Sequence, residues 1–294
     1  MSETLRRDKI GFIGLGHMGW PMSRHLKEAG ADLIVWNRSE PRSRDAAEEG
    51  MLVATDPETL AEAVGHGVIC LNLTHGHVVE SIVEMILPRL EEGACLIDFG
   101  TTGFEETRKL AEVVGEKGIG WIDAPVSGGQ VGAEAANLTI MAGGEKEAFE
   151  RVLPILEVVG EKITLVGESG SGQVTKLANQ LIVAQTIDAV AQALRMAELA
   201  GVDSGRVREA LRGGFAESRI LELHGDRMVR RDFEPGGRSE LQLKDVRLMC
   251  ELAEKVGLDS STLKNSRELW EHFVGEMGHG NLDHSGLFKL YEEA

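Results

Sequence analysis

Short apolar runs alternate with longer segments of mixed polarity along the first half of the chain. Runs such as Val-Ile-Cys-Leu-Asn-Leu at 68–73 are typical of strands buried on both faces of a sheet. The predicted strands are 9–14, 32–37, 68–73, 94–98, 121–123, 138–142 and 162–166. The intervening segments, which predict helices, are 18–29, 40–49, 78–90, 105–116 and 146–158. Strands that alternate with helices in this way predict a doubly wound α/β domain with a parallel sheet.

The pattern changes near residue 167, where the run Gly-Glu-Ser-Gly-Ser-Gly (167–172) predicts a joint. Beyond this joint the chain has helical periodicity only, and a first helix over 173–201 would be about 42 Å long at 1.5 Å per residue. The other predicted helices are 204–211, 219–229, 241–256, 260–276 and 284–292. The sequence therefore predicts an α/β domain over 1–167 and an all-helical domain over 168–294, with a long interdomain helix.

The charge balance limits the classes of partner. With 31 Lys and Arg against 48 Asp and Glu, the net charge is −17, whereas proteins that bind duplex DNA usually present a basic face. Nucleic acid is therefore not an expected partner. No apolar stretch is long enough for a membrane span, and the polar residues 1–10 do not fit a signal peptide. Three widely spaced cysteines, Cys70, Cys95 and Cys250, predict no disulfide framework and favour the cytoplasm.

The first predicted strand leads into a glycine-rich turn, Gly14-Leu15-Gly16-His17-Met18-Gly19. A G-x-G-x-x-G between a strand and a helix is the fingerprint of a Rossmann dinucleotide-binding domain. Gly14 would allow the tight turn, Gly16 the approach of a pyrophosphate, and Gly19 the close packing of the helix on the sheet. The N–H groups and the dipole of the helix N-terminus would face the phosphates. We therefore expect these six residues to form part of a cofactor site.

The residues that end the second strand, Asn37-Arg38-Ser39, indicate which dinucleotide is preferred. Sites that select NAD place an acidic residue here, which hydrogen-bonds the ribose 2′-hydroxyl. This chain has no carboxylate at these positions to repel a 2′-phosphate, and the Arg38 guanidinium can pair with one. The sequence therefore favours NADP(H), with NAD(H) as the alternative, and assigns these three residues to the cofactor.

Four motifs follow one another along nearly the whole chain. They are G-F-I-G-L-G-H-M-G-W-P-M at 11–22, D-A-P-V-S-G-G at 123–129, G-S-G-Q-V-T-K-L-A-N at 170–179, and Lys244-Asp245. In this order they resemble the β-hydroxyacid dehydrogenase family, which includes 3-hydroxyisobutyrate dehydrogenases and tartronate semialdehyde (2-hydroxy-3-oxopropionate) reductases. The runs R-G-G-F-A at 212–216 and D-H-S at 283–285 are most similar to the tartronate semialdehyde reductase branch.

The resemblance implies a role for each motif. Lys176 would be the catalytic lysine. The residues implied for binding the substrate carboxylate, or for lying close to it, are Ser127, Gly128, Gly129, Asn179 and Gln180. The further residues implied for the cofactor are Leu73, Thr74, Thr101 and Lys244. The chain departs from the common family pattern at Thr74 and Phe104, where Pro is frequent, at Gly100, where Ser is frequent, and at Gln180, where a second Asn is frequent.

The chemistry of carbonyl reduction explains why a lysine would stand in such a site. A cofactor supplies the hydride, and a side chain must protonate the developing alkoxide. Lysine suits this role when partial burial or a nearby positive charge lowers its pKa towards neutrality. Asn179 and Gln180 follow Lys176 by three and four residues, so all three share one helix face. We therefore expect an NAD(P)-dependent dehydrogenase of a small β-hydroxy acid, of the tartronate semialdehyde, 3-hydroxyisobutyrate or succinic semialdehyde type.

Other functions stay open on the sequence alone. Reductases of the same fold act on imines or other carbonyls, although these generally replace the lysine that this chain retains. A non-catalytic regulatory protein would bind the dinucleotide without turnover. No H-E-x-x-H and no G-x-S-x-G segment occurs, so we expect neither a metal site nor a serine hydrolase. The apolar surface of the long helix predicts a homodimer or homotetramer.

Overall fold

A computed structural model describes Leu5 and residues 8–293 of the chain. The chain divides into two compact units, residues 1–176 and 177–294. This division falls inside one helix, Ser171–Leu199, whereas the boundary predicted from the sequence lies between residues 167 and 168, before that helix begins. As a domain boundary, the predicted position stays a prediction. Of the N-terminal segment in which we expect no signal peptide, residues 1–4, 6 and 7 lie outside the described residues.

The first unit is built around a sheet that has nine strands among the described residues. The strands are β1 Lys9–Ile13, β2 Asp32–Trp36, β3 Leu52–Val53, β4 Val68–Leu71, β5 Cys95–Asp98, β6 Gly120–Asp123, β7 Val126–Ser127, β8 Leu138–Gly144 and β9 Gly160–Gly167. Their order is β3-β2-β1-β4-β5-β6-β8-β7, with β9 paired to β8. The order reverses between β1 and β4, which is the switch point where doubly wound sheets bind dinucleotides.

Helices cover both faces of this sheet. They are α1 Gly19–Glu28, α2 Glu40–Glu48, α3 Pro57–Val64, α4 Gly76–Ile86, α5 Phe104–Gly115, α6 Gly129–Glu134 and α7 Lys146–Val159. Side chains alternate along each strand, so Ile10 and Phe12 pack into one core together with Leu26 of α1. Ile13 points to the other face and packs into a second core with Leu60 of α3. Because both faces are covered, the central strands are apolar, and β4 is buried at every position.

The longest helix, α8 Ser171–Leu199, begins in the first unit and continues into the second. The later helices are α9 Ser204–Leu211, α10 Arg219–Arg230, α11 Ser239–Val256 and α12 Ser261–Glu271, followed by a π-helical turn at His272–Glu276 and a 3₁₀ helix at His284–Tyr291. In the core of the second unit, Ile187 and Leu194 of α8 pack with Trp270, Phe273 and Phe288. The hydrophobic effect of this single core holds the helical unit together.

This architecture confirms the predicted fold class, a Rossmann unit followed by helices that begin with a long one. The expectation of an entirely parallel sheet is wrong at β8, which runs antiparallel to β6. The chain between them forms β7, which also pairs antiparallel with β8, and the short helix α6, so no long crossover helix is present. The sequence pattern does not predict β3 and β7, because a strand of two residues has no readable alternation, and it also misses the helices α3 and α6. The segment 284–292 is helical as predicted, but as a 3₁₀ helix.

Candidate active site

The glycine turn after β1 has the close packing that its motif predicts. Gly14 has a φ of +99°, which strains any residue with a side chain, and a Cβ there would lie 2.3 Å from the carbonyl oxygen of Asn72. A Cβ on Gly19 would lie 1.9 Å from the carbonyl oxygen of Gly14, so α1 packs directly against the turn. Gly16 differs from both, since a Cβ there would meet no atom within 4 Å. Packing within the protein therefore does not explain why residue 16 is a glycine.

The open space at Gly16 fits the pyrophosphate of a dinucleotide. Gly16 and His17 are exposed, and α1 begins two residues after His17, at Gly19. The first N–H groups of a helix have no partner within it and carry partial positive charge, so they bind phosphate oxygens. The side chains of Leu15 and Met18 pack into the first core, which leaves the backbone of the turn to face a ligand. These residues fit NAD(H) or NADP(H).

Asn37, which follows β2, fixes the turn from the side of the neighbouring strand. Its Oδ1 accepts the N–H of Leu15 at 2.9 Å, and its Nδ2 donates to the carbonyl oxygen of Ser39 at 3.3 Å. Arg38 and Ser39 are exposed at the same edge of the sheet. The structure thus gives Asn37 a role in shaping the turn, whereas Arg38 presents a guanidinium to solvent beside it.

The residues predicted to lie near the nicotinamide follow adjacent strands. Leu73 follows β4, and Thr101 follows β5, its neighbour in the sheet. The Leu73 side chain lies close to the glycine turn, since a Cβ on Gly14 would be 3.2 Å from its Cδ2. The structure therefore brings the glycine turn and Leu73 together at the carboxyl ends of β1 and β4, with Thr101 at the end of the next strand.

Three departures from the common family pattern lie in these loops. Thr74 is exposed, and its hydroxyl lies 2.8 Å from Nδ1 of His75. Gly100 is buried, and a Cβ there would lie 2.5 Å from the carbonyl oxygen of Leu73. Phe104 begins α5. The loop after β5 therefore approaches the Leu73 backbone more closely than a residue with a side chain at position 100 would allow.

Lys176 lies beside the loop that is predicted to bind the substrate carboxylate. Its side chain is buried, and Nζ donates to the carbonyl oxygen of Val126 at 2.9 Å. Ser127 follows in β7, and Gly128 (φ +133°) and Gly129 (φ +62°) then turn the chain into α6. Both glycines are exposed. Exposed backbone N–H groups near an ammonium group suit the binding of a carboxylate.

Four buried polar side chains form a network that the sequence reasoning does not single out: Asp98, Thr102, Asp123 and Gln173. Asp98 accepts the N–H of Gly100 at 2.9 Å and the hydroxyl of Thr102 at 2.8 Å. Gln173 accepts the N–H of Thr102 at 3.1 Å through Oε1, and its Nε2 donates to the carbonyl oxygen of Gly100 at 2.9 Å. The network therefore connects the loop after β5 to the first turn of α8.

Asp123 anchors the start of α8 to the end of β6. Its carboxylate accepts the N–H of Gly170 at 2.8 Å and the N–H of Gln173 at 2.9 Å. Burial is the largest influence on this group and raises the pKa of Asp123 to about 7; the two N–H groups act in the opposite direction, and the charge of Asp98 adds to the rise. A sequence signal exists for both aspartates, because each is a carboxylate that ends a buried apolar strand and so needs a partner.

Within the second unit, the other predicted residues form one polar cluster. Asn179 donates through Nδ2 to Oε1 of Gln180 at 2.9 Å, and Gln180 donates through Nε2 to Oδ2 of Asp245 at 2.6 Å. The Nζ of Lys244 lies 3.1 Å from Oδ1 of Asp245. Asp245 therefore joins two residues of α8 to Lys244 of α11, and the buried Gln180 amide is engaged inside the cluster.

Some site classes can be tested directly on the part of the chain that the structure describes. There, no three His, Cys, Asp or Glu side chains are placed to hold a metal ion together. None of the described helices combines the length and the apolar character that spanning a bilayer requires. Burial raises the pKa of the Cys70 and Cys95 thiols, which keeps them protonated and unreactive.

Comparisons with known proteins agree with this geometry. A family model described as the NAD binding domain of 6-phosphogluconate dehydrogenase matches residues 9–167. A second, described as the NAD-binding part of NADP-dependent 3-hydroxyisobutyrate dehydrogenase, matches residues 170–291. The chain is 39% identical over 287 residues to 2-hydroxy-3-oxopropionate reductase of Escherichia coli (strain K12), and the match covers 97% of each chain.

Two more distant relatives support the same grouping. A probable mitochondrial 3-hydroxyisobutyrate dehydrogenase-like protein of Arabidopsis thaliana is 33% identical over 281 residues, covering 94% of this chain and 84% of that protein. The solved structure of Mycobacterium tuberculosis 3-hydroxyisobutyrate dehydrogenase with L-serine has a TM-score of 0.87 at 28% identity. That alignment covers 96% of this chain and 98% of the other.

The second and third glycines of the turn have different roles, and alanine substitutions separate them. Gly16→Ala is expected to leave the thermal unfolding midpoint unchanged and to weaken NADPH binding about ten-fold or more, because the methyl group enters the space for the phosphate. Gly19→Ala is expected to lower the free energy of unfolding by about 1–3 kcal/mol, because its methyl group overlaps the Gly14 carbonyl. Calorimetric titration and thermal unfolding check both. Wild-type affinity in the Gly16→Ala variant would contradict a phosphate site at this turn.

Proposed function

Because the chain belongs to the β-hydroxyacid dehydrogenase family and is an NAD(P)-dependent oxidoreductase of hydroxy acids, we propose that Lys176 is its general acid/base. The observation that supports this role is the placement of the lysine: a buried ammonium group, 2.9 Å from the Val126 carbonyl oxygen, next to the Ser127-Gly128-Gly129 loop. A charged group is rarely buried without a functional or structural reason.

The proposed reaction needs one proton transfer from the protein. When bound, the nicotinamide ring supplies the hydride to the carbonyl carbon, or takes it from the alcohol carbon in the reverse direction. As negative charge develops on the carbonyl oxygen, the Lys176 ammonium gives a proton to it, which yields the alcohol and a neutral amine. Solvent then reprotonates the amine. In the reverse direction the neutral amine takes the hydroxyl proton.

The proposed substrate is a short semialdehyde that carries a carboxylate, or the corresponding β-hydroxy acid. The loop of Ser127, Gly128 and Gly129 binds the carboxylate through its backbone N–H groups and the serine hydroxyl. Asn179 and Gln180 complete the residues proposed for the substrate. The similarity to a 2-hydroxy-3-oxopropionate reductase favours tartronate semialdehyde, with 3-hydroxyisobutyrate and succinic semialdehyde as the alternatives that a substrate panel would test.

The proposed cofactor residues extend from the glycine turn (14–19) along the sheet edge. They are Asn37, Arg38, Ser39, Leu73, Thr74 and Thr101; Lys244 is proposed from its family motif alone. NADP(H) is the proposed preference, because the exposed Arg38 lies at the end of β2, where an acidic residue would favour NAD(H).

A homodimer or homotetramer is part of the same proposal. Helix α8 exposes the large apolar side chains of Ile182, Met196 and Leu199, and such surface favours association. A monomeric mass in native mass spectrometry would contradict it. Cys70, Cys95 and Cys250 are unpaired thiols, which supports a reducing compartment such as the cytoplasm.

Replacement of Lys176 tests the acid/base role. Lys176→Ala is expected to lower kcat for tartronate semialdehyde by roughly a hundred- to ten-thousand-fold, the usual range for a lost general acid, while NADPH still binds. Added methylamine should restore part of the rate, because a diffusible amine can supply the proton. Absorbance of the reduced cofactor measures the rate, and the exposed Lys117→Ala serves as the control. Cofactor binding without turnover by the wild-type chain on any semialdehyde would instead favour an imine reductase or a regulatory protein.

A charge reversal at the end of β2 tests the cofactor preference. Arg38→Asp is expected to raise the KM for NADPH about ten- to a hundred-fold, because it replaces a charge-assisted pair with repulsion, and to change the KM for NADH much less. Arg44→Asp on α2 is the matched control, since Arg44 is exposed and pairs with Glu40. Equal effects of Arg38→Asp on the two cofactors would contradict a 2′-phosphate contact.

A further inference from the structure

The first turn of α8 is held both through its backbone and through a side chain. Asp123 accepts the backbone N–H groups of Gly170 and Gln173, which fixes the helix start to β6. The Gln173 side chain reaches the loop after β5 and contacts Gly100 and Thr102. Gln173 is fully buried, so water does not compete for these hydrogen bonds.

The loop after β5 matches a primary amide in particular. It presents one carbonyl oxygen, of Gly100, and one N–H, of Thr102, and the Gln173 amide offers one donor and one acceptor to them. A glutamate at position 173 would place a carboxylate oxygen, an acceptor, against the Gly100 carbonyl oxygen. A methionine would make no hydrogen bond with either the Gly100 carbonyl oxygen or the Thr102 N–H. Thr102 is in turn held by Asp98, so the loop cannot shift to compensate without breaking that contact.

The two ends of this bridge carry residues that the proposed function uses. Thr101, which is proposed to contact the cofactor, lies between the two loop residues that Gln173 holds. Lys176 follows Gln173 by three residues, so the two side chains lie one helical turn apart on the same face of α8. A displacement of the first turn of α8 therefore moves the Lys176 ammonium group relative to the loop that contains Thr101.

We propose that Gln173 is a positioning residue, which sets the place of the Lys176 ammonium against the cofactor loop by bridging Gly100 and Thr102 to the first turn of α8. This assignment rests on the proposed function of Lys176. It concerns geometry alone, since Gln173 is buried and its amide is already engaged with the loop.

The decisive experiment is a double-mutant cycle in the full chain. Gln173→Met keeps the size of the side chain and removes both amide hydrogen bonds. With Lys176 present, it is expected to lower kcat about ten- to a hundred-fold, the effect of a small misplacement of a reacting group, with less than a three-fold change in the KM for the semialdehyde. In the Lys176→Ala background with methylamine, the same change is expected to alter the rate less than two-fold, because the diffusible amine is not positioned by the helix.

Two further variants separate positioning from folding. Gln192→Met removes an exposed amide of the same helix, which bonds to Asp188, and is expected to leave kcat unchanged. Gln173→Asn keeps the amide but is one carbon too short to reach the loop, so it should show the same split between backgrounds. If thermal unfolding shows that Gln173→Met is not cooperatively folded, Gln173→Asn takes its place in the double-mutant cycle. Thermal unfolding of each variant establishes that the folded protein is being assayed.

The possible results separate the positioning role of Gln173 from the acid/base role of Lys176. Equal loss of rate in the Lys176 and the Lys176→Ala backgrounds would overturn the positioning role and assign Gln173 to the fold or to the cofactor loop alone. Unchanged kcat in Gln173→Met would overturn it as well. If Lys176→Ala itself retained the wild-type rate, the proposed acid/base role would fail, whatever Gln173→Met does.

Discussion

The carboxylate of Asp123 is the contact on which the start of α8 depends. A carboxylate at the buried end of β6 is unfavourable unless strong donors replace its water. Burying the N-terminus of a helix is unfavourable in the complementary way, since its first N–H groups are donors that have no acceptors within the helix. Placing one against the other satisfies both groups, and it fixes where the longest helix of the chain begins. Lys176 is buried in the following turn, so its location follows from this pairing.

The same constraint organises the rest of the first unit. Parallel strands all end at one edge of a sheet, and a polar residue at that end must find its partners in the loops beside it. Asn37 after β2 bonds to the glycine turn after β1, and Asp98 at the end of β5 bonds to the loop that follows it. Hydrogen bonds within and between the loops therefore hold this edge of the sheet.

Much of this arrangement could be predicted from the sequence, because it depends on local patterns. The apolar runs indicate most strands of the sheet, and the G-x-G-x-x-G indicates the turn, whose Gly14 and Gly19 are as crowded as the motif requires. The bridge from the Gln173 side chain to the loop after β5 could not be predicted, because it joins residues 71 and 73 positions apart, and no periodicity reports such a contact. The antiparallel β8 was equally inaccessible, since an apolar run carries no information about strand direction. The resemblance implies the roles of Gln180 and Lys244, whereas the contacts of both side chains with Asp245 are seen only in the structure.

The tight approach of Gly100 to the Leu73 carbonyl has a consequence for how this chain could diverge. A Cβ at position 100 would lie 2.5 Å from that oxygen, and yet serine is frequent there in the wider family. A serine becomes acceptable only after the backbone after β4 has moved, and Thr74, the next residue in that loop, is itself a departure from the family's proline. The two loops are therefore coupled. A side chain at position 100 and a shift of the backbone that separates Gly100 from Leu73 have to occur together.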